Sequence, residues 1–337
     1  MTGVTRRLAE VAKYVGVSEA TVSRVLNGKP GISEATRTSV LTALDVLGYE
    51  RPAKLRGERA RLVGLVLPEL ANPIFPAFAE VVAGSLAKRG FTPVLCTRTS
   101  EGVSEGDYVD MLLEQHVSGV IFAGGNYAQG DAEHEHYHRM AERGLPAVLV
   151  NAAIDDIGFP TVSADDGVAV RQAYGHLRSL GHERIGLVLG PEDHVPSARK
   201  LAEFERLCAA ASAKPEVERT LFSMEGGHAA AARLIRREVT ALICASDVLA
   251  LGAVRGARRL GLEVPADVSV VGYDDSPFMA CTDPPLTTIR QPIEAMGQAT
   301  VSLLVNLVGG GDVPTDELFF EPELVVRGST GAVRANS

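Results

Sequence analysis

Tryptophan is missing from this chain of 337 residues, and aromatic residues make up only 5% of it. Any buried core must therefore rest on aliphatic packing, for which a 46% hydrophobic composition is ample. No apolar run approaches the length of a membrane-spanning helix, so no contact with a membrane is expected. The opening residues carry Arg6 and Arg7 without the apolar stretch of a signal peptide, which points to the cytoplasm. Cysteine is sparse: Cys96, Cys208, Cys244 and Cys281 lie far apart with no CxxC pair. The expected state is buried, reduced thiols, with no disulfide and no structural metal. Also missing are GxSxG, GxGxxG, GxxxxGK[ST] and HExxH, so neither an enzyme nor a cofactor is expected.

Positive charge is scarce overall, with a net charge of −9, but it is unevenly placed. Residues 1–61 hold 11 Lys and Arg against 6 Asp and Glu, a surplus of five, while the remainder holds 22 against 36, a deficit of 14. A small basic head on an acidic body suits a protein that meets polyphosphate at one end only.

The head reads as three short helices. Leu8, Val11 and Ala12 recur at helical spacing, Ser18 is placed to cap a second helix over 18–26, and Ser33 opens a third that stops at Gly48. Residues 49–61 are basic and nearly devoid of large aliphatics, as expected of a linker. From Leu62 the pattern changes to unalternating aliphatic runs at 62–67, 93–96, 119–123, 146–150, 185–189, 241–245 and 268–272, separated by helical stretches. Strands covered on both faces and alternating with helices fold as doubly wound parallel sheets. The length predicts two such lobes, with a loop near 161–166 and a ligand cleft between them.

Residues 8–28, LAEVAKYVGVSEATVSRVLNG, resemble the headpiece of the lactose/galactose-repressor family. Further words follow in family order: LPELANPIF at 67–75, LGHERI at 180–185, ASD at 245–247, ALG at 250–252, VPADVSVVGYDD at 264–275 and PPLTTI at 284–289. The resemblance spans residues 8–330, and the wording at 54–64 and 72–78 is most similar to maltose and cellobiose repressors of high-GC Gram-positive bacteria. It implies an α/β protein: an all-α helix-turn-helix headpiece (1–48), a hinge linker (49–61) and a two-lobed, periplasmic-binding-protein-like core. Residues 62–161 and 291–320 would form the N-terminal lobe, 162–290 and 321–330 the C-terminal lobe, and 331–337 a flexible tail. It further implies a homodimer on double-stranded operator DNA, released by a small carbohydrate bound between the lobes.

In a helix-turn-helix the second helix enters the major groove. Glu19 and Ala20, with Arg24 a turn later, are the candidates for base edges; Arg24 can bridge guanine O6 and N7. Ser18, Thr21, Ser23 and Asn27 suit phosphates, although Ser18 can equally cap and Thr21 pack. The family's hinge helix wedges a leucine into the minor groove, which here implies Leu55, flanked by Lys54 and Arg56. The stretch between Tyr49 and Val63 is about three residues shorter than usual in the family, leaving open a shortened hinge helix or a plain basic tether.

For the cleft, the resemblance implies Asp274 as the carboxylate that grips sugar hydroxyls, with Ser246, Asn151 and Lys200 at positions where asparagine, aspartate and arginine are usual. Lysine lacks the planar fork of arginine, so Arg199 is an alternative clamp. Asn72, Phe75 and Phe222 complete the expected wall, though Asp274 can instead cap its loop and Phe222 can instead pack in the core. His134, His136 and His138 alternate within a helix and read as a solvated face. A transport binding protein with the same core is a rival reading that leaves residues 1–61 without a use, and corepression or a phosphoprotein partner would use the same parts.

Overall fold

The computed structural model describes residues 3–27, 29, 31–47, 61–97, 102–130, 132–154 and 157–334. They divide into two compact units at Arg61/Leu62. Lys54, Leu55 and Arg56 lie outside the described residues.

The first unit is three helices, α1 (Gly3–Val15), α2 (Glu19–Leu26) and α3 (Glu34–Val46). Val11, Val22, Val25, Val40, Ala43 and Leu44 are buried against one another. The turn between α1 and α2 passes through Gly16 at φ +75°, a conformation that glycine adopts without strain.

The second unit contains two six-stranded sheets. In chain order its elements are β1 (Arg61–Leu67), α4 (Ile74–Ala87), β2 (Phe91–Thr97), α5 (Glu105–Glu114), β3 (Gly119–Phe122), α6 (Glu135–Glu142), β4 (Ala147–Val150) and β5 (Thr161–Ala164). Then follow α7 (Asp166–Ser179), β6 (Ile185–Leu189), α8 (Val195–Ala210), β7 (Glu216–Arg219), α9 (Met224–Ile235), β8 (Ala241–Cys244), α10 (Asp247–Arg259) and β9 (Ser269–Asp274). The chain ends with β10 (Thr287–Arg290), α11 (Ile293–Val308), β11 (Glu317–Phe320) and β12 (Glu323–Val325). The first sheet runs β11-β5-β4-β3-β1-β2, and the second β12-β10-β9-β8-β6-β7. Pairing is parallel from β11 through β1 and from β10 through β7, with β12 antiparallel to β10.

The unalternating strands have the burial their composition requires. In the first sheet Leu65, Ile121 and Val148 pack with Phe78, Val82 and Leu304 on one face, while Val66, Val120 and Leu149 pack with Val109, Leu112 and Met140 on the other. The second sheet has a continuous apolar core around Leu187, Leu242 and Val271.

Several expectations need correction. Thr161–Ala164 is strand β5 of the first sheet rather than part of a loop, and Asp166 already opens α7. The sheet assignment therefore carries the first lobe past residue 161. Strands β5, β7, β10, β11 and β12 were not foreseen. The tail is tied down through 334: the Gly331 N–H donates to Ser269 Oγ at 3.0 Å and the Val333 N–H to the Leu180 carbonyl at 3.0 Å. Of the four cysteines, three are buried and Cys281 is exposed.

The chain crosses between the lobes three times, at 164–166, 290–293 and 320–323. These crossings bring Asp166 and Gln291 to the base of the cleft.

Candidate functional site

On the first unit, α2 presents Glu19, Ala20 and Arg24 to the exterior. Ser18 caps the helix, accepting the Thr21 N–H at 3.1 Å, and its hydroxyl lies 2.9 Å from Thr21 Oγ1. The Asn27 amide donates to the Ser23 carbonyl at 2.8 Å and closes the other end of α2. Ser18, Thr21, Ser23 and Asn27 thus have local structural roles, while the more exposed positions on the helix are Glu19, Ala20 and Arg24.

On the second unit, the cleft between the lobes encloses roughly 350 Å³, within the range of small-molecule sites. Seven of the eight residues expected there line it: Asn72, Phe75, Asn151, Lys200, Phe222, Ser246 and Asp274. Arg199 does not. Its guanidinium makes a two-armed bond with Glu317, at 2.7 and 2.8 Å, and lies over the Phe319 ring, so this arginine holds β11 instead of a ligand.

Asp274 ends β9 at φ +122°, in a backbone region unusual for a residue with a side chain. Its buried carboxylate accepts from Gln291 Nε2 at 2.7 Å and, at a longer 3.5 Å, from Asn72 Nδ2 of the opposite lobe. Burial, reinforced by the nearby Asp247, raises its pKa well above the usual carboxylate range. The adjacent Asp275 turns away to Arg290 and Arg327, each at 2.7 Å, so the two aspartates do not face a common centre. Asp247 lies behind Ser246, accepting from Thr288 Oγ1 at 2.5 Å and from the Ser276 N–H at 2.7 Å; burial raises it to about 6. Ser246 itself caps α10, accepting the Leu249 N–H at 3.2 Å.

Lys200 is buried, with its ammonium bonded to Asp166 and 4.0 Å from the Tyr273 ring centroid. Asp166 is pushed upward by burial, against the pull of Lys200. Across from it, Asn151 (φ +73°) accepts the Ala164 N–H at 3.1 Å, tying the end of β4 to β5. Phe222 stands edge-on to His194, 5.1 Å between centroids, and a Cβ at Gly190 would meet its ring at 2.3 Å; glycine there lets the ring close over β6. Burial holds the His194 pKa down to about 4. Phe222 therefore does both: it walls the cleft and packs, half-buried, against the apolar core of the second sheet.

Sequence reasoning missed Asp166, His194, Tyr273 and Gln291. Asp166 and Gln291 lie at crossings that no periodicity marks, whereas Tyr273 lies inside the quoted motif at 264–275 and Gln291 two residues beyond PPLTTI. Of the histidine run, His136 is buried against Glu105, not solvated, and among the described residues no cluster of His, Cys, Asp or Glu could hold a metal ion. Among them, too, no helix is long and apolar enough to cross a membrane.

The chemistry available is that of reversible binding: buried carboxylates and amides as acceptors and donors, one ammonium already matched by a carboxylate, and apolar rings on two sides. Two family descriptions match the chain, "Bacterial regulatory proteins, lacI family" over residues 7–52 and "Periplasmic binding protein-like domain" over 174–330. It is 53% identical over 337 residues to the HTH-type transcriptional regulator reg1 of Streptomyces lividans, and 52% identical over 336 residues to MalR of Streptomyces coelicolor, in each case covering 98% of both chains. Among solved structures it resembles a complex of the transcriptional regulator CelR with cellobiose (TM-score 0.72, 33% identity, 96% of this chain and 99% of that one). It also resembles a lac repressor dimer bound to operator and an anti-inducer (TM-score 0.71, 30% identity, 96% and 98%).

Proposed function

Because the chain belongs to the lacI family of bacterial regulatory proteins, we propose that it is a cytoplasmic transcriptional repressor, not an enzyme. It binds an inverted-repeat operator as a homodimer through α2 and is released by a malto- or cello-oligosaccharide held between the lobes. The observation that carries this reading is the pairing of Asp274 with Asn72 across a cleft whose other walls are Lys200, Phe75 and Phe222. A sugar supplies hydroxyls for the carboxylate and amides and C–H faces for the rings. The relatives' printed names, MalR and a CelR–cellobiose complex, favour the same ligand class.

Ligand and operator are coupled through closure. A sugar that touches both lobes favours one lobe angle and shifts operator affinity only by its differential affinity for the two states. The test is a mobility shift on an inverted repeat selected from genomic fragments, titrated with maltose, maltotriose, cellobiose and lactose. Release by one or more of them is expected. Equal binding to the repeat and to scrambled duplex, or a complex indifferent to every sugar, would overturn the reading.

A further inference from the structure

The histidine-rich stretch at 133–138 and a carboxylate on α5 converge on one loop. Glu105 is buried, and its carboxylate accepts from the Tyr137 hydroxyl, from His136 Nε2 at 3.1 Å and from the Asn126 N–H at 3.2 Å. Asn126 begins a short 3-10 turn, Asn126–Ala128, whose neighbouring groups are held from the same side. The Tyr127 N–H donates to the Tyr137 hydroxyl at 3.0 Å, and His134 Nε2 lies 3.3 Å from the Asn126 carbonyl. The Tyr127 hydroxyl accepts the Gly124 N–H at 2.6 Å and reaches the Val150 carbonyl at 2.5 Å, joining the ends of β3 and β4. Gly125 has φ +148°, and a Cβ there would meet the Glu105 carboxylate at 2.3 Å, so the loop backbone rests directly on that side chain.

The opposite side of the same loop faces the cleft. Gly124, Gly125, Ala128 and Gln129 line the cleft, which Glu105 does not. Beyond them the loop reaches the second lobe: Gln129 and His194 form an antiparallel bridge, and the Gly130 N–H donates to the Asp193 carbonyl at 2.8 Å. Residues 124–130 therefore wall the cleft and also cross its mouth.

We propose that Glu105, with His136 and Tyr137, is a positioning group for effector binding: it holds loop 124–130 in the shape that closes on the ligand. The proposal rests on the cleft being the effector site. A buried carboxylate with three donors is costly to leave half-satisfied, so the loop and the carboxylate specify each other's geometry.

The test uses the full-length protein with Glu105→Gln and Tyr137→Phe, both nearly isosteric. Three readouts are needed: calorimetric titration with maltotriose and cellobiose, operator affinity without sugar, and amide hydrogen exchange across 124–130. Each variant is expected to weaken sugar binding about tenfold and to speed exchange in the loop, with sugar-free operator affinity unchanged. Unchanged loop exchange in both variants overturns the proposal. So does a parallel fall in sugar affinity, operator affinity and thermal midpoint, the mark of a merely structural role. If the wild-type protein takes up neither sugar, the effector reading fails by itself, and loop exchange still decides whether Glu105 positions the loop.

Discussion

Arg199 on α8 and Glu317 on β11 form a two-armed ion pair, at 2.7 and 2.8 Å, that ties the second lobe to the first outside the cleft. Both side chains are partly exposed, 29% and 15%, so the pair contributes about 1 kcal/mol after screening. It belongs to a closure in which both lobes line the cavity, and its loss should disfavour that closure. Arg199→Ala is expected to weaken effector affinity about fivefold, and the exchanged pair Arg199→Glu with Glu317→Arg to recover most of it. Calorimetric titration of the three proteins checks this; equal affinities would leave the bridge without a part in closure.

Lys200 and Asp166 form a buried pair of a different kind. Removing the ammonium strands a carboxylate that burial already drives toward its neutral form. Lys200→Met should cost about 3–5 kcal/mol of stability, and the double variant with Asp166→Asn should recover much of that loss because no unmatched charge remains. Denaturant unfolding of the single and double variants at neutral pH decides it. A double variant as unstable as Lys200→Met would show that packing, not the lone charge, sets the cost.

The contrast between Arg199 and Lys200 shows what could be read from the sequence. Adjacent residues on α8 face different partners, and only the geometry of the helix against β11 reveals which of them enters the cleft. The long aliphatic strands were legible because burial on both faces leaves an unalternating run. Strands β5 and β10 were not, since Thr161, Ser163, Thr287 and Thr288 are buried hydroxyls inside short segments. Ser163 bonds to Glu317, Thr287 to Thr330 and Thr288 to Asp247, contacts made far along the chain. The motif glycine Gly252 also acquires a cause, since a Cβ there would lie 2.3 Å from the Met224 carbonyl of the helix packed against it. Asp274 and Asn72 were legible through the resemblance, but Asp166 and Gln291 gain their place only from the crossings.

His194 gives the cleft a pH dependence that can be isolated. Its folded pKa is depressed to about 4 by burial, against an ordinary value of 6.5. The unfolded chain thus binds the proton more readily, so stability is fully present above pH 6.5 and is lost as pH falls toward 4. The loss is at most about 1.4 kcal/mol per pH unit for one proton. His176 and His182 are depressed in the same direction, so the difference between wild type and His194→Gln is the proper measure. Unfolding free energies at pH 7, 6, 5 and 4.5 should converge for the two proteins as pH falls; parallel curves would mean that this imidazole is not held neutral.

At the other end of the chain, Arg24 and Ser18 separate base reading from helix integrity. Ser18 caps α2, and Ser18→Ala should cost the first unit about 1 kcal/mol while weakening operator and scrambled duplex alike. Arg24 lies on the exposed part of the same helix, one turn after Glu19 and Ala20. If its guanidinium bridges a guanine, Arg24→Ala should cost about 1–3 kcal/mol on the operator, leave binding to scrambled duplex almost unchanged, and leave the salt dependence of operator binding as it was. A phosphate contact would behave differently: affinity would fall equally on both duplexes, and the salt slope would drop by about one. Fluorescence anisotropy on both duplexes at three salt concentrations distinguishes these outcomes, and equal weakening would remove Arg24 from the residues that read sequence.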